Sequence, residues 1–423
     1  MTPALRNDPA TYIEDARVQG SRIEGVETDS PSRPVASVGI VGAGTMGAGI
    51  AINFLNAGLP TTLVERDASA LERGVAMITG FYRGRVDKGR MGAAAAEHAR
   101  KLLHSSLVFD SLANCDLIIE AVYESLDIKR EVFSKLDQVA KPGAILATNT
   151  SYLDIDQIAI ATTRPDDVVG MHFFSPAQIM KLLEIVRGAH TANDVLSTAV
   201  KLGGVIGKTP VVSGNCYGFI GNRILQARQR EAMLLLMEGV PPRRIDEAHV
   251  EFGMPMGPFQ MIDLAGVDVG WHRDPSRIET IREALCAAGR LGQKVGKGFY
   301  DYDAHRHRSE SAEAQAVIDA FTGRVGKPPR DLSTQYIIER TIYPMVNEGA
   351  KIIEEHIAQR VSDIDVVWTS GYGWPIAKGG PMYWAEQEGL NRIVAGLEKH
   401  GQTATPLLAR LAREGESFFK GSA

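Results

Sequence analysis

The sequence predicts an α/β domain followed by two related all-helical domains, and three observations carry that expectation. A buried strand runs into a glycine turn and a helix over residues 35–56. Strand and helix patterns then alternate as far as Gly214, and past Tyr217 the apolar spacing becomes almost wholly helical.

The first strand is Val35-Ala-Ser-Val-Gly-Ile-Val41, and residues 46–56 carry apolar side chains at helical spacing, so Gly42-Ala-Gly44-Thr45-Met46-Gly47 lies at a strand-to-helix turn. Gly42 permits the tight turn, Gly44 lets backbone N–H groups approach a pyrophosphate, and Gly47 lets the helix pack on the strand. The anion then meets the positive end of the helix, beside Thr45 and Met46. A second strand, Pro60-Thr-Thr-Leu-Val-Glu65, ends in a carboxylate about 20 residues after the glycines, where the ribose hydroxyls of an adenosine would lie. Glu65 would bond both hydroxyls and repel a 2′-phosphate, which favours NAD over NADP, although Arg66 could hold such a phosphate. Strand, turn, helix, strand and terminal acid in this order define a Rossmann-type NAD-binding domain. For the glycines alone, a tight turn without a ligand is the alternative.

The pattern continues with helices over 69–90 and 93–103, a strand over 116–122, a helix over 127–139 and a strand over 144–149. Further strands are read at 168–174, 182–186 and 210–212, with a helix over 193–202 between the last two. This alternation predicts a largely parallel, doubly wound sheet whose ligands bind at the carboxyl ends of its strands. Residues 1–34 are polar, contain Pro3, Pro9, Pro31 and Pro34, and show helical spacing only over 10–18, so they read as an arm. The expected domains are the arm 1–34, the NAD domain 35–214 and helical domains 215–310 and 311–423. The two helical domains read as a diverged duplication. Arg244-Ile-Asp246 precedes Gly253-Met-Pro255-Met-Gly-Pro-Phe259, while Asp363-Ile-Asp365 precedes Gly373-Trp-Pro375, and a long helix opens each half. A chance likeness between helix-turn segments is the alternative.

At 423 residues and 44% hydrophobic, the chain is long enough for two or three domains with substantial cores. Its formal charge of −5 supplies no basic field for nucleic acid. No apolar run reaches the roughly 18 residues that cross a bilayer, so no membrane association is expected. Cys115, Cys216 and Cys286 are odd in number and widely spaced, which fits a reducing compartment. The N-terminus lacks a basic region followed by an apolar stretch, and Lys420-Gly-Ser-Ala423 is not a peroxisomal address of the Ser-Lys-Leu type. A cytoplasmic location is therefore expected.

Together with Gly42 to Gly47, the segments Asn149-Thr-Ser151, Met171-His172-Phe-Phe-Ser-Pro176, Lys181-Leu-Leu-Glu184, Gly218-Phe-Ile-Gly-Asn222-Arg223 and Gly253 to Phe259 resemble the L-3-hydroxyacyl-CoA dehydrogenase family. The resemblance covers about residues 35–415 and is nearest to the dehydrogenase portion of the multifunctional fatty-acid β-oxidation enzymes. It implies NAD-dependent, reversible oxidation of 3-hydroxyacyl-CoA to 3-oxoacyl-CoA. There is no room for the hydratase/isomerase half that those enzymes carry in front, and the arm resembles the linker that would follow it, so a stand-alone dehydrogenase is expected, with a separate hydratase or thiolase as a possible partner. Single-repeat members of the family pair through their helical domains. The second repeat resembles an internal substitute for that partner, so a monomer is expected, or a homodimer through another surface.

Oxidising a secondary alcohol needs a base for the hydroxyl proton while hydride leaves the same carbon, and an imidazole, with an ordinary pKa of about 6.5, suits that exchange. His172 is the candidate base, and Glu184 would fix its tautomer and stabilise the imidazolium. A structural His–carboxylate pair is the alternative on the pairing alone. By resemblance, Ser151 contacts the substrate oxygen near the reacting carbon, and Asn222 positions the substrate and His172. Also by resemblance, Glu124 and Lys129 line the nicotinamide ribose, though either could be a solvated helix-start residue. Arg83, Arg85, Lys88 and Arg90 end the helix that contacts the coenzyme A moiety in the family; a solvated helix face is the alternative for them. No metal is needed, and His305 and His307 read as solvent-facing. Two other functions are compatible with the fold: a non-catalytic protein of the lambda-crystallin kind, and a dehydrogenase of a hydroxyacid without coenzyme A.

Overall fold

The computed structural model describes residues 8–27, 30–274 and 276–420; Pro3 of the arm and residues 421–423 lie outside them. The described chain falls into two compact units, the first holding the residues up to Arg223 together with Lys351–Tyr372. Its strands are β1 (Val38–Val41), β2 (Thr61–Val64), β3 (Leu103–Ser106), β4 (Leu117–Glu120), β5 (Ile145–Thr148), β6 (Val168–Phe173), β7 (Leu182–Arg187) and β8 (Thr209–Gly214). They form one sheet in the order β3-β2-β1-β4-β5-β6-β7-β8, parallel throughout except for the antiparallel pair β6–β7. The helices of the same stretch are α1 (Pro9–Gly20), α2 (Thr45–Asn56), α3 (Ala68–Asp87), α4 (Ala93–Lys101), α5 (Leu126–Val139), α6 (Ile155–Ala159) and α7 (Asn193–Val205).

Every residue of β1, β4 and β5 is buried, as expected for strands covered on both faces. Successive side chains point to opposite faces and feed two cores. Val38 and Ile40 pack with Ile50 and Phe54 of α2, and with Leu196 of α7. Val41 and Ile118 pack with Phe133 and Leu136 of α5 and Ile158 of α6. Burying such a side chain contributes about 1.5–3 kcal/mol. The first glycines also have a packing role. Gly42 has φ 102°, and a Cβ on Gly47 would lie 1.8 Å from Gly42 O, so α2 starts as close to β1 as two backbones allow.

One strand departs from the sequence expectation. Residue 103, placed at the end of a helix, begins β3, a Leu-His-Ser-Ser segment at the sheet edge with its two middle residues exposed. Its pairing comes from backbone bonds to β2 alone, so no apolar alternation was needed to make it a strand.

The second unit comprises Ile224–Ala350 and Gly373–Lys420. Beyond α8 (Gly221–Met237), which begins in the first unit, it is built from α9 (Pro242–Phe252), α10 (Pro258–Ala265), α11 (Ile281–Ala287), α12 (Ala312–Thr322) and α13 (Thr334–Glu354). After α14 (Val361–Gly371), which belongs to the first unit, come α15 (Pro381–Glu388), α16 (Leu390–Lys399) and α17 (Pro406–Glu414). A short hairpin of β9 (Tyr300–Tyr302) and β10 (Arg308–Glu310) interrupts the helices, and His305 and His307 are exposed in its turn. Asp246 of α9 is fully buried and accepts the Phe259 and Gln260 N–H groups that open α10 and the Tyr300 hydroxyl at 2.8 Å. Burial outweighs these donors and pushes its carboxyl from the ordinary 3.8 up to about 6. The two Gly-x-Pro loops pack reciprocally: a Cβ on Gly253 would touch the Pro375 ring at 3.2 Å, and one on Gly373 the Pro255 ring at 2.7 Å.

The helical spacing over 10–18 of the arm belongs to α1. Tyr12, Ile13 and Ala16 of α1 are buried, and α1 packs on α14 and β8, with the Tyr12 hydroxyl donating to Asp365 Oδ2 at 2.7 Å.

Two measurements test these points. Gly47→Ala forces α2 off β1 and should lower the melting temperature by an amount equivalent to about 3 kcal/mol or more; an unchanged melting curve would contradict the contact. Asp246 binds its proton more tightly folded than unfolded, so its contribution to stability is full below pH 3.8 and is lost as pH rises through about 6. The melting-temperature advantage of the parent over Asp246→Asn should therefore shrink between pH 4.5 and 7.5, and a flat difference would rule out that titration.

Candidate active site

The antiparallel register of β6 and β7 sets His172 directly opposite Glu184. Directly opposed residues present their side chains on one face. His172 Nδ1 lies 2.8 Å from Glu184 Oε2, and Glu184 Oε1 accepts the Gly221 N–H at 2.9 Å. The carboxylate can only accept, so Nδ1 carries the proton and Nε2 is left as the basic nitrogen of the neutral ring. Both side chains are buried, at 3% and 0% exposure, and the imidazole is walled by Phe174, with ring centroids 4.2 Å apart, and by Phe219 at 5.7 Å.

The other two candidate catalytic residues join this pair. Asn222 follows Gly221 at the start of α8, and its Nδ2 donates to Ser151 O at 3.4 Å. Asn149, just past β5, accepts the Phe173 N–H at 2.8 Å and ties the ends of β5 and β6 together. His172, Glu184, Ser151 and Asn222 thus form one constellation beside the carboxyl ends of β5 and β6.

Glu124 and Lys129 enter through a network that the sequence reading did not complete. Lys129 Nζ is 2.7 Å from Glu120 Oε1 and 3.3 Å from Glu124 Oε2. Glu120 Oε2 accepts the Thr148 hydroxyl at 2.7 Å, and Glu124 Oε1 accepts the Thr150 hydroxyl at 2.5 Å and the Ser151 N–H at 2.8 Å. Lys129 and Glu120 are 1% and 0% exposed. The fully buried Glu120 was missed, although a carboxylate ending a buried strand is the same signal that singled out Glu65. Tyr372, whose hydroxyl reaches Asn222 Oδ1 at 2.9 Å, had no such signal, because the contact spans 150 positions.

The glycine turn fits a dinucleotide. Gly44 caps α2 without any side-chain hydrogen bond to its first turn, Gly44 and Thr45 are exposed, and Met46 is half-buried beside them. A Cβ on Gly44 would project into open space, the room that a phosphate needs beside the helix N-terminus. Glu65 Oε2 accepts the Ala43 N–H at 3.1 Å, which sets the carboxylate against the turn. Arg83, Arg85, Lys88 and Arg90 lie at the end of α3, where Arg85 is partly covered by Phe81 and the other three are exposed. None of the four pairs with a carboxylate among the described residues.

A Rossmann-like sheet with an acid-tipped nucleotide turn and a buried His–Glu pair defines the class, an NAD-dependent dehydrogenase. The comparisons assign the family. The family description "3-hydroxyacyl-CoA dehydrogenase, NAD binding domain" matches residues 37–216, and "3-hydroxyacyl-CoA dehydrogenase, C-terminal domain" matches residues 218–302 and 336–417. The chain belongs to the 3-hydroxyacyl-CoA dehydrogenase family. It is 40% identical over 393 residues to a peroxisomal bifunctional enzyme of Cavia porcellus, covering 88% of this chain and 54% of that protein. The chain thus spans about half the length of the curated relatives it matches. Among solved structures, it resembles 3-hydroxybutyryl-CoA dehydrogenase from Escherichia coli K12 with TM-score 0.78 and 28% identity, covering 90% of this chain and 99% of that one. It also resembles the dehydrogenase part of multifunctional enzyme 1 from C. elegans, with TM-score 0.67 and 32% identity, covering 96% and 98%.

The expected cytoplasmic location does not stand, since the curated relatives are peroxisomal and glyoxysomal enzymes. Unpaired cysteines report the lack of a disulfide framework, and a reducing interior is not peculiar to the cytosol.

Glu184→Gln keeps the volume but removes the charge facing His172 and one of the two acceptor oxygens. Its kcat should fall about 10²-fold or more with KM little changed; a kcat within threefold of the parent would show the carboxylate to be structural.

Proposed function

We propose that the chain oxidises the C3 hydroxyl of an L-3-hydroxyacyl-CoA to the 3-oxo thioester, reversibly, with His172 Nε2 as the base. The observation that carries this is the buried His172–Glu184 pair. One imidazole nitrogen is committed to a carboxylate that has a second donor of its own, which leaves the other nitrogen to take a proton. As that proton arrives, the ring becomes a cation and Glu184 is already in place to stabilise it. Ser151 and Asn222 supply uncharged hydrogen-bonding groups that hold the substrate oxygen within reach of Nε2. NAD, held by Gly42, Gly44, Thr45, Met46, Gly47 and Glu65 with Glu124 and Lys129 toward the nicotinamide ribose, supplies the hydride acceptor. Arg83, Arg85, Lys88 and Arg90 are the cations for the phosphates of coenzyme A.

Residues 215–310 and 311–423 are read as two copies of one helical unit. The double match of a single family description and the reciprocal Gly253–Pro375 and Gly373–Pro255 contacts support this reading. An internal pair of this kind favours a monomer, with a homodimer through another surface as the alternative. A separate hydratase or thiolase is a candidate partner. The non-catalytic reading has the weaker support, because a protein with no reaction to run has no use for the orientation of His172.

Loss of NADH absorbance with acetoacetyl-CoA tests the proposal. The parent should turn over with NADH far better than with NADPH and should not reduce free acetoacetate, while His172→Ala should lose about 10²-fold or more in kcat. A folded parent inactive with acetoacetyl-CoA and with 3-oxodecanoyl-CoA would favour the non-catalytic reading. Equal turnover of the free acid would favour a hydroxyacid dehydrogenase that does not need coenzyme A.

A further inference from the structure

We propose that Tyr372, at the end of α14, is a positioning residue of this site, because its hydroxyl anchors the Asn222 amide in place. The proposal rests on the reading of Asn222 as a substrate-positioning residue. The oxygen and nitrogen of an asparagine amide are nearly the same size, so packing alone does not choose between the two orientations; hydrogen-bond partners do. Asn222 has two. The Ser151 carbonyl can only accept, and it takes Nδ2 at 3.4 Å, close to the limit of a hydrogen bond. The Tyr372 hydroxyl, which can donate or accept, reaches Oδ1 at 2.9 Å; the carbonyl chooses the orientation, and the shorter contact to the hydroxyl holds the amide in it. A flipped amide would set its oxygen against the Ser151 carbonyl, which offers no proton. With Oδ1 occupied by Tyr372, the amide presents its N–H groups on the side of Ser151.

The local packing is built around this hydroxyl. A Cβ on Gly221 would lie 2.5 Å from the Tyr372 hydroxyl oxygen, so only glycine at the start of α8 lets the ring come this close. The same glycine donates its N–H to Glu184 and so lies between the catalytic carboxylate and Tyr372. The Tyr372 ring stacks on Trp368 with centroids 4.7 Å apart and planes inclined at 22°, and it meets Phe174, the ring that covers His172, edge-on at 5.5 Å. These contacts fix the ring without involving the hydroxyl. The hydroxyl can therefore be removed while the ring stays in place.

The test is Tyr372→Phe, Asn222→Ala and the double variant, assayed by NADH oxidation with acetoacetyl-CoA or, should the parent prefer a longer chain, 3-oxodecanoyl-CoA, with thermal melting as the check on folding. Tyr372→Phe should melt like the parent, keep KM for NADH, and lose about tenfold in kcat. The double variant should be no slower than Asn222→Ala alone, because the hydroxyl acts through that amide. A Tyr372→Phe variant within twofold of the parent, beside an impaired Asn222→Ala, overturns the proposal and leaves the role of Asn222 standing. Losses that multiply in the double variant overturn it by showing that Tyr372 acts by another route. An Asn222→Ala variant as fast as the parent, or a parent inactive on both substrates, removes the underlying reading and the proposal with it.

Discussion

One reversal of strand direction governs the site. Six of the eight strands form an ordinary parallel sheet, but β7 runs against β6, with β8 following β7, and this brings the start of one strand beside the end of the other. Glu184, twelve positions after His172, thereby lies opposite it. The period of a strand is two, so a register slip of one residue would carry Glu184 to the other face and leave the imidazole without its acceptor. The carboxylate in turn needs donors, because a buried charge without them is costly. His172 supplies one and the Gly221 N–H the other, so the group that orients the base also pins the first residue of α8. Asn222 comes next in the chain.

Three glutamates at strand ends divide the work by environment. Glu65 after β2 keeps partial exposure and is held by the backbone of the glycine turn, which suits it to ribose hydroxyls. Glu184 in β7 is shared between the His172 ring and the Gly221 N–H. Glu120 closing β4 is sealed against Lys129 and Thr148, and Lys129 passes the constraint to Glu124 and so to the Ser151 backbone. Breaking a buried ion pair by removing one partner costs about 3–5 kcal/mol. Charge sealed inside the protein at Glu120 thus holds the Ser151 backbone through Lys129 and Glu124, while the charge at Glu184 holds the His172 ring.

The parts legible in the sequence were those whose signals are local. Apolar runs marked seven of the eight strands, and the glycine turn with its trailing acid marked the nucleotide site. His172, Glu184, Ser151 and Asn222 were named on the short motifs that carry the family resemblance, and the fold brings them together. β3 was not legible because an edge strand of Leu-His-Ser-Ser needs only a partner's backbone. Glu120 carried the signal of a strand-end acid, but its partner did not show, because that is a lysine one helix turn into α5. Tyr372 was out of reach for a different reason: its contact with Asn222 joins distant segments, and nothing in the Tyr-Gly-Trp-Pro sequence around it speaks of an amide elsewhere.

The same limit hides how the arm is held. Each helical half carries an Ile-Asp pair with a fully buried aspartate, and each aspartate takes a tyrosine hydroxyl. In the first half the tyrosine is Tyr300, 54 positions further along; in the second it is Tyr12, 353 positions earlier. Comparing the two halves could find the matching aspartates but not their partners, which come from opposite directions along the chain. The second half therefore borrows from the N-terminal helix what the first half takes from β9. Since α1 packs on α14, and α14 ends next to the tyrosine that bonds Asn222, a segment that reads as an arm from its prolines and polarity is part of the structure behind the candidate site.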